Sequence, residues 1–186
     1  MVLALPRGGV PVAAEVASTL AGPLDVFVAR KVGAPGREEY GIGAIAEGDV
    51  IVADQHALAT LGISADEFAA LAAAQRVELH RRVDLYRGGR DLIDVRDRDV
   101  VLVDDGLATG VTAEAALLGL RLRGPRRLLL AVPTGAADTA VRLRRIADEV
   151  VCVVEAADFT AVGAWYDDFR QTSDEAVARL LRAAGP

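Results

Sequence analysis

The run Val100-Val101-Leu102-Val103-Asp104-Asp105-Gly106-Leu107-Ala108-Thr109-Gly110-Val111-Thr112 sets two acids and a loop of small residues between an apolar stretch and a helix-like one. Such a loop turns backbone N–H groups and the positive end of a helix dipole toward an anion, with the Thr109 and Thr112 hydroxyls as further donors. Phosphate is the natural occupant. Asp104 and Asp105 would repel a phosphate, so they face something neutral or cationic: a sugar diol, a magnesium ion, or both. In Leu5-Pro6-Arg7-Gly8-Gly9 the glycines let backbone amides approach a ligand, and Arg7 offers a planar fork suited to phosphate oxygens. The segment Arg30-Lys31-Val32-Gly33-Ala34-Pro35-Gly36-Arg37-Glu38-Glu39-Tyr40 has the composition of a mobile lid that carries cations onto a charged ligand and excludes water.

The elements that must position these residues follow from hydrophobic periodicity. Short apolar runs at Val2 to Leu5, Asp25 to Ala29, Val100 to Val103, Leu128 to Val132 and Val150 to Val154 alternate with helix-period segments at 11–20, 113–122, 136–146 and 175–184. This is βαβ syntax. The runs at Val100, Leu128 and Val150 are almost wholly apolar, which predicts strands covered on both faces, as in a parallel sheet. Strand-like pieces at 44–45 and 50–52 precede a long amphipathic stretch from Ala65 to Tyr86, opened by a capping box at Ser64-Ala65-Asp66-Glu67. A second box is predicted at Thr172-Ser173-Asp174-Glu175. The segments 30–43 and 155–163 read as the longest loops, where function concentrates.

Composition narrows the classes. The 186 residues are enough for one sizeable core, and 27 acidic against 21 basic residues give a formal net charge of -6, which argues against nucleic acid or anionic lipid as a partner. Apolar runs fall far short of the ~20 residues of a membrane span, and Val2 to Leu5 before Arg7 is too short for a signal peptide; a cytoplasmic protein is expected. Cys152 stands alone, so no disulfide framework is built, and its apolar neighbours place it in the core. The basic residues are 20 arginines and the single Lys31. Gly41-Ile42-Gly43-Ala44-Ile45-Ala46 fits the dinucleotide fingerprint by letter but leads into a strand, and 106–112 lacks the Walker lysine. His56 and His80 stand alone, His80 on a charged helix face where a solvated role is expected over a catalytic one.

With these segments taken together, the sequence resembles the type I phosphoribosyltransferases, whose motif for phosphoribosyl pyrophosphate (PRPP) is four apolar residues, two acids and a small, Thr-rich loop. The resemblance implies an α/β fold: a parallel sheet flanked by helices in a single domain over 1–186, with a small hood from about 30–45 and 155–172. It implies that Asp104 and Asp105 hold the ribose hydroxyls and magnesium, and that Ala108, Thr109, Gly110, Val111 and Thr112, led in by Gly106 and Leu107, hold the 5′-phosphate. Arg7, Gly8 and Gly9 then form the pyrophosphate loop, often with a cis peptide, and Arg30 and Lys31 belong to the flexible lid. Phe159-Thr160-Ala161-Val162-Gly163-Ala164-Trp165-Tyr166-Asp167 is similar to the segment that stacks an aromatic ring on the base, giving Phe159 and Trp165 as stacking residues and Asp167 as a further magnesium ligand.

Gly106 departs from the pattern, which favours an aliphatic residue, and is expected to loosen the loop. Ala108 stands where relatives acting on 6-oxopurines have Asp, so hypoxanthine and guanine are disfavoured against adenine-like recognition or an unorthodox heterocycle or amine. The implied reaction is transfer of ribose 5-phosphate from PRPP to a nitrogen acceptor, with magnesium as cofactor, pyrophosphate as product and a homodimer as the assembly. Relatives generally place a helix before the first strand, whereas here a strand begins at Val2, so an incomplete hood or interface is expected. A PRPP- or nucleotide-sensing regulator and a general phosphosugar-binding or hydrolytic enzyme stay open as alternatives.

Overall fold

The computed structural model describes residues 1–184, without the side chain of Glu39; positions 185 and 186 of the expected domain lie outside the described residues. The chain runs β1 (Val2–Ala4), α1 (Gly9–Leu20), β2 (Leu24–Val26), β3 (Ala29–Ala34), β4 (Arg37–Ala46), β5 (Val50–Ala53), α2 (Gln55–Leu61), α3 (Ala65–Arg87), β6 (Asp99–Val103), α4 (Val111–Arg121), β7 (Arg127–Ala136), α5 (Ala137–Leu143), β8 (Glu149–Ala156), a 3-10 turn at Val162–Trp165, and α6 (Asp174–Ala184). Five strands form a sheet in the order β2-β1-β6-β7-β8, and β3-β4-β5 form a separate antiparallel sheet of three. Every pairing in the larger sheet is parallel.

Alternation along the parallel strands divides the core in two. Leu3, Val100, Leu102, Leu128 and Leu130 face one cluster, with Ala113, Leu117 and Leu120 of α4 and Ala140 and Leu143 of α5. Val2, Ala4 and Val103 face the other, with Val10 and Ala13 of α1 and Val177 and Leu181 of α6. From β1 the chain winds outward to β2, and from β6 it winds the opposite way through β7 to β8. The winding therefore reverses between β1 and β6, where open α/β sheets form a crevice at the strands' carboxyl ends.

Two expectations are corrected by this architecture. Residues 30–43 form a hairpin of β3 and β4 with a turn at Pro35-Gly36, not an irregular loop. Proline at the first turn position and Gly36 at φ +69° supply the local chemistry for it. The strand around Val150 is the sheet's edge and is covered mainly on one face: Val150 is buried, while Val151 and Val153 on the opposite face are exposed, as is Val154 toward the strand's end. The helices of the second cluster sit over β1, β2 and β6 and leave this edge open. Cys152 is accordingly half-buried, packed against the rim of the first cluster.

The capping box at Ser64 and Glu67 is present in full. The second box does not form: Ser173, not Thr172, accepts from the Ala176 N–H at 3.2 Å, and alanine there has no side-chain acceptor to return the bond. Helix α2, capped by Asp54 through the Ala57 N–H at 3.0 Å, was hidden in the sequence by the strand-like residues before it. A buried polar knot joins the hood to the main sheet. Arg87, at the end of α3, donates to the Val26 carbonyl and the Glu47 carboxylate, and Glu47 Oε1 also accepts from the Val28 N–H at 2.6 Å.

Candidate functional site

The turn after β1 and the acids after β6 meet at the reversal of the sheet. The Leu5 N–H donates to the Val103 carbonyl at 2.9 Å, so the chain leaves β1 alongside the end of β6. The Pro6–Arg7 peptide is cis, as the resemblance implied. Gly8 and Gly9 then pass so near the acids that no side chain fits. A Cβ on Gly8 would lie 1.7 Å from Asp105 Oδ2, and one on Gly9 would lie 2.7 Å from the Val103 carbonyl oxygen and 2.9 Å from Asp104 Cα. At Gly9 the obstacle is backbone, so glycine is a steric requirement there, whereas at Gly8 a side chain would have to displace the Asp105 carboxylate.

Asp104 and Asp105 are only partly exposed at the base of the crevice. Burial, and then the neighbouring Asp105 charge, pushes the Asp104 carboxyl well above the ordinary carboxylate range. Burial raises Asp105 as well, against hydrogen bonds that favour its ionised form. The Asp105 N–H donates to Asp104 Oδ1 at 2.9 Å. Two carboxyls in this setting favour a proton, a cation or a set of hydroxyl donors between them.

The loop from Gly106 to Gly110 is held from behind by β7 and α5. Leu107 exchanges hydrogen bonds with β7, donating to Thr134 O at 3.0 Å and accepting from the Ala136 N–H at 2.8 Å. The Thr139 hydroxyl donates to the Ala108 carbonyl at 2.8 Å, and the Arg142 guanidinium donates to the Thr109 carbonyl. Gly110, at φ +69°, begins α4 with no side-chain cap. Ala108 and Thr109 are exposed, whereas the side chains of Leu107 and Val111 are buried, so those two can serve a ligand only through their backbone. A Cβ at Gly106 would lie 2.7 Å from Val162 Cγ1, so its absence lets the C-terminal segment pack on the loop.

That segment completes the site through a residue assigned no role from the sequence. The Tyr166 hydroxyl donates to the Asp105 carbonyl at 2.6 Å. Its phenol is pushed up to about 12 by burial and then by the Asp105 and Asp104 charges. Phe159 and Trp165 stack on each other, with ring centroids 6.0 Å apart and planes 5° from parallel. Asp167 is exposed, and among the described residues no group of three or more His, Cys, Asp or Glu is placed to hold a metal; Asp167 therefore does not join the acid pair as a third ligand.

The cationic residues divide. Arg7 lines a cleft of about 990 Å³ with Gly8, Asp105, Tyr166, Arg82 and Arg179. It lies 3.7 Å from Asp174 of α6, whose carboxylate also accepts from the Tyr86 hydroxyl at 2.6 Å. Lys31 sits on β3, opposite Ala44. A Cβ at Gly41 would lie 3.0 Å from Lys31 Cδ and 4.0 Å from Val111 Cγ1, so the lysine stem runs beside the start of α4. Arg30 points elsewhere. It donates to Gln75 of α3 at 2.9 Å, and burial, followed by the charge of Arg82, lowers its pKa. Its expected place in a ligand-facing lid is corrected: neighbours on a strand face opposite sides, so Arg30 and Lys31 diverge.

The signals for Tyr166, Thr139 and Arg142 were present but incomplete. Tyr166 lay in a recognisable aromatic cluster, and Thr139 and Arg142 are spaced i, i+3 on one helix face. Which loop that face meets is a tertiary fact.

Fold and site together define the class: a parallel α/β protein with an acid pair, a glycine turn and an uncapped helix start converging where the winding reverses. The phosphoribosyl transferase domain matches residues 1–168, and the chain belongs to that family. Two Mycobacterium tuberculosis proteins, from strains CDC 1551 / Oshkosh and ATCC 25618 / H37Rv and each named "Putative phosphoribosyl transferase", are 46% identical over 184 residues. These alignments cover 99% of this chain and 42% of each relative, so the chain spans less than half the length of the curated relatives it matches. The crystal structure of TT1426 from Thermus thermophilus superposes with a TM-score of 0.79 at 45% identity, covering 100% of this chain and 88% of that one. Among the described residues no single helix is long and apolar enough to cross a membrane.

Proposed function

We propose that this chain transfers ribose 5-phosphate from PRPP to a nitrogen acceptor and releases pyrophosphate. The observation that carries the reading is the approach of the Gly8 backbone to Asp105, which brings the turn read as the pyrophosphate loop beside the acids read as ribose-binding. A ligand with a phosphate at one end, a diol in the middle and a diphosphate at C1 matches the order loop 108–112, Asp104 and Asp105, then Arg7, Gly8 and Gly9.

In this reading the C1–oxygen bond of the ribose breaks, its electron pair leaves on pyrophosphate, and the acceptor nitrogen attacks C1 and gives up its proton to the departing pyrophosphate or to water. The transition state resembles an oxocarbenium ion, so positioning and stabilisation of the departing charge supply most of the rate. Arg7, the Gly8 and Gly9 amides and Lys31 receive that charge. Asp104 and Asp105 accept from the ribose hydroxyls, and Tyr166 holds the Asp105 backbone in place. Magnesium fits the donor set, since it is commonly bound by one or two carboxylates with substrate oxygens and water completing its shell. Asp104 and Asp105 would hold it, and its contribution is to neutralise charge on the leaving group.

The acceptor is a nitrogen nucleophile that needs no carboxylate at position 108, since Ala108 offers none. Adenine, or another heterocycle or amine, is favoured over hypoxanthine and guanine. The test is release of pyrophosphate from PRPP and magnesium across a panel of bases and amines. Release with one acceptor and not with water is expected; hydrolysis alone, or turnover of hypoxanthine or guanine, contradicts the proposal.

A further inference from the structure

Hydrogen bonding on the far side of the anion loop leads to residues outside the motif. The Thr139 side chain is buried, and its hydroxyl donates to the Ala108 carbonyl at 2.8 Å. One turn later on α5, Arg142 donates to the Thr109 carbonyl and pairs with Glu114 of α4. In a trans peptide the carbonyl and the following N–H point in opposite directions. With the Ala108 carbonyl turned to Thr139, the Thr109 N–H points away from α5; with the Thr109 carbonyl turned to Arg142, the Gly110 N–H does the same. Both amides then face the open side of a loop whose residues 108 and 109 are exposed. Contact behind the loop is close, because a Cβ on Gly110 would lie 2.4 Å from Thr139 Cγ2.

We infer that Thr139 and Arg142 are positioning residues for the 5′-phosphate: they turn two successive loop carbonyls backward and so aim two successive amides at the ligand. Oriented amides need no reorganisation when the anion arrives, and this advantage is lost if the peptides can rotate. The inference rests on the reading of 108–112 as the 5′-phosphate loop. It extends the phosphate machinery to α5, an element that touches the loop only from behind.

The test compares Thr139→Val, which removes the hydroxyl at nearly constant shape, with Thr139→Ser, which keeps it, and Arg142→Met with Arg142→Lys. Ribose 5-phosphate and inorganic pyrophosphate, each with magnesium, are titrated calorimetrically. Amide exchange across 108–112 is followed in the ligand-free protein. Thr139→Val and Arg142→Met should each weaken ribose 5-phosphate by about tenfold, the scale of one hydrogen bond. They should leave pyrophosphate within about twofold of wild type and speed exchange at Thr109 and Gly110, while Thr139→Ser stays near wild type. Unchanged ribose 5-phosphate affinity, or an equal loss for both ligands, overturns the inference. If the wild type binds neither ribose 5-phosphate nor PRPP, the proposed function fails instead, and exchange alone decides: acceleration confined to 108–112 supports the positioning role, and no acceleration refutes it.

Discussion

Asp104 carries an energetic conflict that its proposed role would resolve. Its carboxyl is raised by burial and by Asp105, so the folded chain binds that proton more tightly than the unfolded chain does. The stability that goes with the bound proton is complete below the ordinary aspartate range and is lost as pH rises through the elevated value. Asp104→Asn, which carries no charge, should therefore raise the melting temperature at neutral pH by a few degrees, about what relief of ~1 kcal/mol gives at this size. The gap between variant and wild type should shrink at acid pH. The same substitution should abolish PRPP binding, and a variant that melts lower while binding PRPP normally would show the acids to be structural.

Lys31 tests the chemistry of departure. Lys31 stands on β3 of the hood and not on the fixed turn, so on the proposed role Lys31→Ala should cut kcat by about a hundredfold with a much smaller change in PRPP affinity. Arg7→Ala should lower both. Loss of affinity alone in Lys31→Ala, measured by single-turnover kinetics beside equilibrium binding, would remove the lysine from the transition state.

At the scale of elements, small residues decide how the loops meet. Gly106 makes room for Val162, so the loop after the acid pair and the C-terminal segment share one packing contact. Gly106→Ala should destabilise the fold by about 1–3 kcal/mol through overpacking. Val162→Ala in the same chain should recover most of that loss, as contacting residues couple in a double-mutant cycle. Additive effects in chemical denaturation would mean that the segment does not rest on the loop. Gly8 poses the same question on the other side of the acids, where the obstacle is the Asp105 carboxylate itself.

For the whole molecule, the knot of Arg87, Glu47 and Val28 fastens the three-stranded hood to the parallel sheet. Glu47→Gln leaves Arg87 buried without its closest charge partner, and it should cost about 3–5 kcal/mol, the scale of a broken buried pair. A ligand bridging both halves should act in the opposite direction. PRPP with magnesium at a hundredfold excess over its dissociation constant should add about 2.7 kcal/mol, and ribose 5-phosphate at the same concentration should add less because it engages one half only. Equal melting shifts from the two ligands at matched concentration would favour a phosphosugar binder over a transferase.

The sequence by itself determined the alternation of strands and helices, the Ser64 cap, the small-residue loop at 106–112, the acid pair and the glycine turn. Each of these is a local pattern in which a few neighbouring residues carry the physics: apolar period, side-chain capping, backbone freedom at glycine. Tertiary structure alone decided the rest. Residues 30–43 looked irregular because their polar composition hides a hairpin whose register is set by pairing, and that pairing turns Arg30 to α3 while Lys31 stays beside α4. The exposed face of β8 could not be read from its apolar residues, because coverage depends on where α1 and α6 come to rest. Tyr166, Thr139 and Arg142 reach the site by hydrogen bonds to carbonyls 61, 31 and 33 positions away. Contacts over such separations arise from how the sheet is wound and leave no spacing in the chain by which they could be recognised.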